Sequence, residues 1–73
     1  MTEQEILEKI AFNIKIARMK KHLTQFQLAE KIDAYEKYIC KIETGKQNIT
    51  IKTLIKLSLA LDTDLTKLVS ITD

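Results

Sequence analysis

The chain has 73 residues, one glycine, no proline and a single cysteine, which leaves room for one domain over 1–73 and excludes a disulfide framework or a turn-rich sheet protein. Cys40 and His22 are the only soft donors, so a zinc site of about four ligands is excluded and neither metal nor cofactor is expected. The net charge is only +2, and no run approaches the roughly 18 apolar residues of a membrane span.

Ile6, Leu7, Ile10, Ile14 and Ala17 recur at three- and four-residue steps, which predicts a helix over about residues 3–20. Glu3 and Glu5 stand in its first turn and Lys20 and Lys21 in its last, as the helix dipole favours. His22 stands where a glycine stop is usual, and histidine tolerates the left-handed conformation better than most residues. Thr24 is a good N-cap for a short second helix, with Phe26 or Leu28, then Ala29 and Ile32, on its apolar side. Asp33-Ala34 ends it.

A third helix is predicted over about residues 35–44, with Ile39 and Ile42 buried and Gly45 just past its end. Its outer side is expected to carry Glu36, Lys37, Lys41 and the tyrosines Tyr35 and Tyr38, and Cys40 is expected half-buried. Thr50 caps a fourth helix whose repeat runs through Ile51, Leu54, Ile55, Leu57, Ser58 and Leu61. Asp64 caps a short fifth helix holding Leu65, Leu68 and Val69. The fold class read from this order is all-α, five helices.

Charge is unevenly spread. Residues 15–56 hold ten basic residues against Glu30, Asp33, Glu36 and Glu43, a net +6, while the segments before and after each carry −2. A basic middle between acidic ends is expected of a face that binds a polyanion. The acidic N-terminus, Thr2-Glu3-Gln4-Glu5, differs from the basic start of a secretory signal, so a cytoplasmic location is expected.

Residues 24–46 read TQFQLAEKIDAYEKYICKIETGK, two short helices joined by a tight turn. A short polar helix that stands proud on a neighbour suits the major groove of double-stranded DNA, which admits one α-helix. Thr24-Gln25, Leu28-Ala29, Ile39, Ile42-Glu43 and Gly45-Lys46, continued by Leu54, Leu57, Leu61, Leu65 and Leu68, resemble the Cro and phage-repressor, or XRE, family. The resemblance covers about residues 10–69 and implies a five-helix, lambda-repressor-like domain with its helix-turn-helix at about 24–44.

The resemblance also implies roles. Tyr35, Glu36, Lys37 and Lys41 stand where family members place base-contacting side chains. Gln25 is similar to a glutamine that bonds a DNA phosphate, and the Gly45-Lys46-Gln47-Asn48 loop to one that clasps the backbone. Arg18 and Glu43 match an ion pair between the first and third helices. Two departures stand out: Tyr35 replaces the usual Ser or Thr at the start of the third helix, and Ile49 replaces a loop proline. The run Asn48-Ile49-Thr50-Ile51 is similar to controller proteins of restriction–modification systems.

Side-chain chemistry points the same way. Lys37 or Lys41 can donate to guanine O6 and N7, and Glu36 can accept from cytosine N4. Thr24, Gln25, Tyr38, Lys46 and Asn48 are the expected backbone contacts. A single short helix reads few bases, so a homodimer on a palindromic operator is expected. The stripe Phe12, Ile16 and Met19 and the tail Leu65, Leu68, Val69 and Ile71 are two candidate subunit surfaces, with packing inside the chain the other role for that stripe.

No serine–histidine–acid set and no glycine-rich phosphate loop is present, so no enzyme and no small-molecule substrate are expected. The rival reading is an antitoxin-like module that uses the same fold to bind a protein. The exposed lysines of the third helix favour DNA.

Overall fold

The computed structural model describes residues 1–72, which form five helices and no strand. They are α1 (Glu3–Lys20), α2 (Gln25–Lys31), α3 (Glu36–Glu43), α4 (Ile51–Leu61) and α5 (Leu65–Leu68). Three begin on a threonine. The hydroxyls of Thr2, Thr24 and Thr50 accept the N–H groups of Glu5, Gln27 and Thr53 at 3.1, 3.0 and 3.1 Å. Glu5 and Gln27 return the bond to the backbone of Thr2 and Thr24 at 2.9 Å, closing two capping boxes. The Thr2 backbone N–H, and then its hydroxyl, hold the Glu5 carboxyl below its ordinary 4.5. The starts of α3 and α5 are plainer, since neither Tyr35 nor Asp64 makes a capping bond from its side chain.

The four longer helices all stop on a left-handed residue: His22 (φ 58°), Asp33 (φ 56°), Gly45 (φ 73°) and Asp62 (φ 51°). The last two backbone bonds repeat each time. His22 and Leu23 donate to the carbonyls of Met19 and Arg18, Asp33 and Ala34 to Glu30 and Ala29, Gly45 and Lys46 to Ile42 and Lys41, and Asp62 and Thr63 to Leu59 and Ser58. This is the Schellman closure, which satisfies carbonyls that a helix end leaves free. Aspartate and histidine tolerate the conformation, so one glycine suffices for four closures.

The core is drawn from every helix: Ile14 and Ala17, Leu28, Ala29 and Ile32, Ile39 and Ile42, Leu54, Leu57 and Leu61, and Leu68. Fully burying a leucine or isoleucine of this kind contributes about 1.5–3 kcal/mol. Leu28, not Phe26, is the buried apolar residue of α2. Ile49 packs against the core where the loop proline is missing. Asn13 donates to the carbonyls of Leu68 and Ser70 at 3.1 and 2.7 Å, which caps α5 and ties it to α1.

Several positions depart from the periodic reading. In α1 the small Ala11 is buried, while Phe12 and Met19 stay exposed and Ile16 is half-buried, so most of that stripe finds no cover within the chain. In α4, Ile51 and Ile55 are exposed and Leu59 is 76% exposed. These three lie at four-residue steps on one face, opposite Leu54, Leu57 and Leu61. The C-terminal leucines are not a free surface: Leu68 is in the core and Leu65 packs against it.

Gly45 is the one closure where a side chain has no room. An added Cβ would stand 3.0 Å from Glu8 Cγ and 3.4 Å from Glu8 Cα, at a φ of +73°. Gly45→Ala is therefore expected to destabilise the fold by about 1–2 kcal/mol, read as a lower urea midpoint at unchanged m-value.

Candidate nucleic-acid interface

α3 has only eight residues, too few to persist as a helix alone. Its position is set by one buried polar cluster. Glu43, in its last turn, has a side chain only 2% exposed. Arg18 of α1 grips it twice, through Nε to Oε2 at 2.7 Å and Nη2 to Oε1 at 3.1 Å. The remaining guanidinium nitrogen, Nη1, donates to the Leu23 carbonyl at 2.7 Å, just before α2. Gln25, the first residue of α2, donates from Nε2 to Glu43 Oε1 at 3.1 Å. Three helices thus meet on one carboxylate, and no buried side-chain polar atom among the described residues lacks a partner.

This cluster turns the other side of α3 outward. Glu36, Lys37, Cys40, Lys41 and Thr44 are all exposed, at offsets that keep them on one side of the helix. Tyr35, at its N-cap, is 86% exposed. Lys37, Lys41 and Lys46 form no ion pair with any described residue. The closing turn bonds Lys46 N to the Lys41 carbonyl at 3.1 Å, so the loop with Lys46 and the exposed Asn48 begins directly against α3. Thr24 is exposed at the start of α2, where its oxygen already serves as the cap.

Two residues of α3 differ from their expected places. Tyr38 is not on the outer side: its ring packs against the core, and its hydroxyl lies 3.3 Å from Thr53 Oγ1. It is half-buried and joins α3 to the first turn of α4. Cys40 is exposed, not half-buried. It follows Lys37 by three residues and Glu36 by four, spacing that marks it as a member of the outer face. Thr44 is the other outward residue that periodicity alone passes over. Its hydroxyl donates to the Lys41 carbonyl at 3.0 Å.

Residues 14–68 match the model of the helix-turn-helix family. This chain belongs to that helix-turn-helix family. The control protein C.SmaI of Serratia marcescens is 38% identical over 66 residues, covering 90% of this chain and 79% of that protein. The crystal structure of the restriction–modification controller protein C.AhdI of Aeromonas hydrophila is 29% identical, with a TM-score of 0.81 over 85% of this chain and 94% of that one. The controller protein C.Esp1396I, solved as a tetramer in complex with its natural 35 base-pair operator, is 34% identical, with a TM-score of 0.77 over 88% of this chain and 93% of its own. The likeness to restriction–modification controllers read from Asn48–Ile51 thus extends over most of the chain. Among the described residues, no helix is long and apolar enough to cross a membrane.

The Arg18–Glu43 pair gives a direct test of what orients the motif. Arg18→Met leaves a buried carboxylate with a single amide partner and is expected to cost about 3–5 kcal/mol. The double variant Arg18→Met/Glu43→Leu is expected to melt well above the single one, since no unpaired charge remains inside.

Proposed function

We propose that this helix-turn-helix protein is a sequence-specific transcriptional regulator that acts on cytoplasmic DNA as a homodimer. α3 enters the major groove of a palindromic operator. The observation that carries the reading is the outer face of α3, where Glu36, Lys37 and Lys41 stand exposed and unpaired on a helix pinned from behind by Arg18 and Glu43. Unpaired charges on a pinned helix have lost little of their reach, and they need no partner to be broken before they meet a base edge.

In this reading Tyr35, Glu36, Lys37 and Lys41 face bases. Glu36 acts as a filter, because its carboxylate is repelled by phosphate and helps only where cytosine N4 meets it. Thr24, Gln25, Tyr38, Lys46 and Asn48 hold the backbone. One amide hydrogen of Gln25 is engaged with Glu43, and Nε2 carries a second for a phosphate oxygen. The operator complex of C.Esp1396I supports the same use of the fold here. An antitoxin-like role would be better served by an apolar outer face on α3, and this one is charged. The chain acts by binding, without catalysis or cofactor.

The α4 ridge of Ile51, Ile55 and Leu59 is the subunit surface in this proposal. It is apolar, it repeats along one helix, and a helix face can pair with its own copy about a two-fold axis. Its first turn is joined to α3 through Thr53 and Tyr38, so a dimer along α4 fixes the relation between the two recognition helices. Leu59→Lys is expected to shift the protein toward monomer in analytical ultracentrifugation. Phe12→Lys is expected to leave the dimer intact, and the opposite pattern moves the interface to α1.

Selection from a randomised duplex pool tests the DNA reading. Enrichment of an inverted repeat with half-sites about 34 Å apart is expected. Lys37→Ala is then expected to cost about 1–3 kcal/mol at one base position and to relax preference there. Binding without enrichment that fades as salt rises reduces the interaction to phosphate attraction and sinks the proposal.

A further inference from the structure

The four Schellman closures invite comparison at one position. Such a turn is usually backed by an apolar contact between the residue after the left-handed one and the helix residue whose carbonyl it bonds. Here those pairs are Leu23 with Arg18, Ala34 with Ala29, Thr63 with Ser58, and Lys46 with Lys41. Only in the α3 closure are both residues of the pair lysines. Both lysines are exposed, and neither has an ion-pair partner among the described residues.

A long-range side-chain bond also reaches this closure. Gln4, in the first turn of α1, donates from Nε2 to the Gly45 carbonyl at 3.0 Å, across 41 positions of sequence. The same nitrogen lies 3.3 Å from Glu8 Oε2, so the amide is held from its own helix as well. Gly45 lies so close to α1 that a Cβ would meet Glu8. The first turn of α1 is itself fastened by the Thr2–Glu5 capping box.

We propose that Gln4 is a positioning residue for DNA: its bond to the Gly45 carbonyl braces the closing turn of α3 against α1 and holds Lys46 where it meets a phosphate. The inference rests on the DNA-binding reading above and names a residue outside the helix-turn-helix. Gln4 touches no DNA. It acts through the turn, and its effect is on affinity for any duplex, not on base preference.

The test compares wild type, Gln4→Met, Lys46→Ala and the double variant, each titrated with a selected operator duplex and a scrambled duplex across a range of salt. Methionine keeps the length and charge of glutamine and removes the donor. Gln4→Met is expected to weaken binding to both duplexes alike by about threefold to tenfold, the range of one net hydrogen bond. Its salt slope is expected to fall by about one, toward that of Lys46→Ala. The bond is present in the free protein, so the melting temperature is expected to fall by about 4–8 °C per kcal/mol lost, with the chain still fully folded at the temperature of the titration. Lys46→Ala is expected to cost less in the Gln4→Met background than alone. Wild-type affinity and slope in Gln4→Met overturn the brace, as do losses from the two substitutions that multiply in full. A Lys46→Ala variant that binds normally also overturns it and leaves base reading by α3 standing. If no operator emerges from selection, the regulator reading fails, and the scrambled duplex still decides the brace.

Discussion

The carboxylate of Glu43 is the point on which the motif turns. Burying a charge is unfavourable unless it is fully paired, and here one guanidinium, with help from an amide, meets both oxygens. The arrangement constrains three helices together, because Arg18 belongs to α1, Gln25 to α2 and Glu43 to α3. Leu28, Ile39 and Ile42 also pack these helices into the shared core, but apolar contacts tolerate small slides and rotations. A bidentate pair does not, since its two bonds fix both distance and angle. The buried charge therefore contributes orientation more than stability, and orientation is what an eight-residue reading helix lacks on its own.

The same division shows at the helix ends. α1, α2 and α4 close on pairs whose side chains are compatible with each other, such as Ala34 over Ala29. α3 alone closes on a pair of lysines, Lys46 bonded through its backbone to Lys41. A sequence chosen for stability would set an apolar pair there. Local rules are broken where function asks for something else, and the uncapped start at Tyr35 is a second breach in the same eight residues. Both ends of α3 are thus locally weak, and both are supported from other helices: through Tyr38 and Thr53 from α4, and through Gln4 and Gly45 from α1. The reading helix borrows its rigidity.

Much of this was legible in the sequence where the signal is local. Thr24 and Thr50 act as caps, His22 takes the left-handed stop, and Ile39 and Ile42 lie inside, because each depends on residues within one or two turns. The Arg18–Glu43 pair is 25 positions apart and came into view through the family resemblance, since spacing alone cannot pair two distant charges. α4 misled the periodic reading for a physical reason. Ile51, Leu54, Ile55, Leu57, Leu59 and Leu61 surround much of the helix, and a helix apolar on most sides has no periodic signal for which side is buried. Tyr38 and Cys40 were exchanged between inside and outside for a related reason, as both are amphipathic or small and fit either place. The Gln4–Gly45 bond had no sequence signal, because a glutamine in a first helical turn reads only as a solvated residue.

The exposed ridge on α4 gains meaning from the scale of DNA. One α3 presents its outward side chains over about two helical turns, enough for a few base pairs, and discrimination against a genome of competing sites requires more. A second copy doubles the contacts only if its helix meets the next major groove on the same side of the duplex. That condition concerns the distance between two α3 helices, and it is met only when the subunit surface is rigid with respect to α3. The α1 stripe ends at Met19, next to Arg18, whose guanidinium grips Glu43 of α3. The α4 ridge flanks Thr53, with Ile51 and Ile55 two residues to either side, and the Thr53 hydroxyl faces Tyr38 of α3. In the proposed dimer both exposed faces are thus tied to α3 by a side-chain bond, and what favours α4 is its continuous apolar surface, since Ile51, Ile55 and Leu59 are all exposed at four-residue steps.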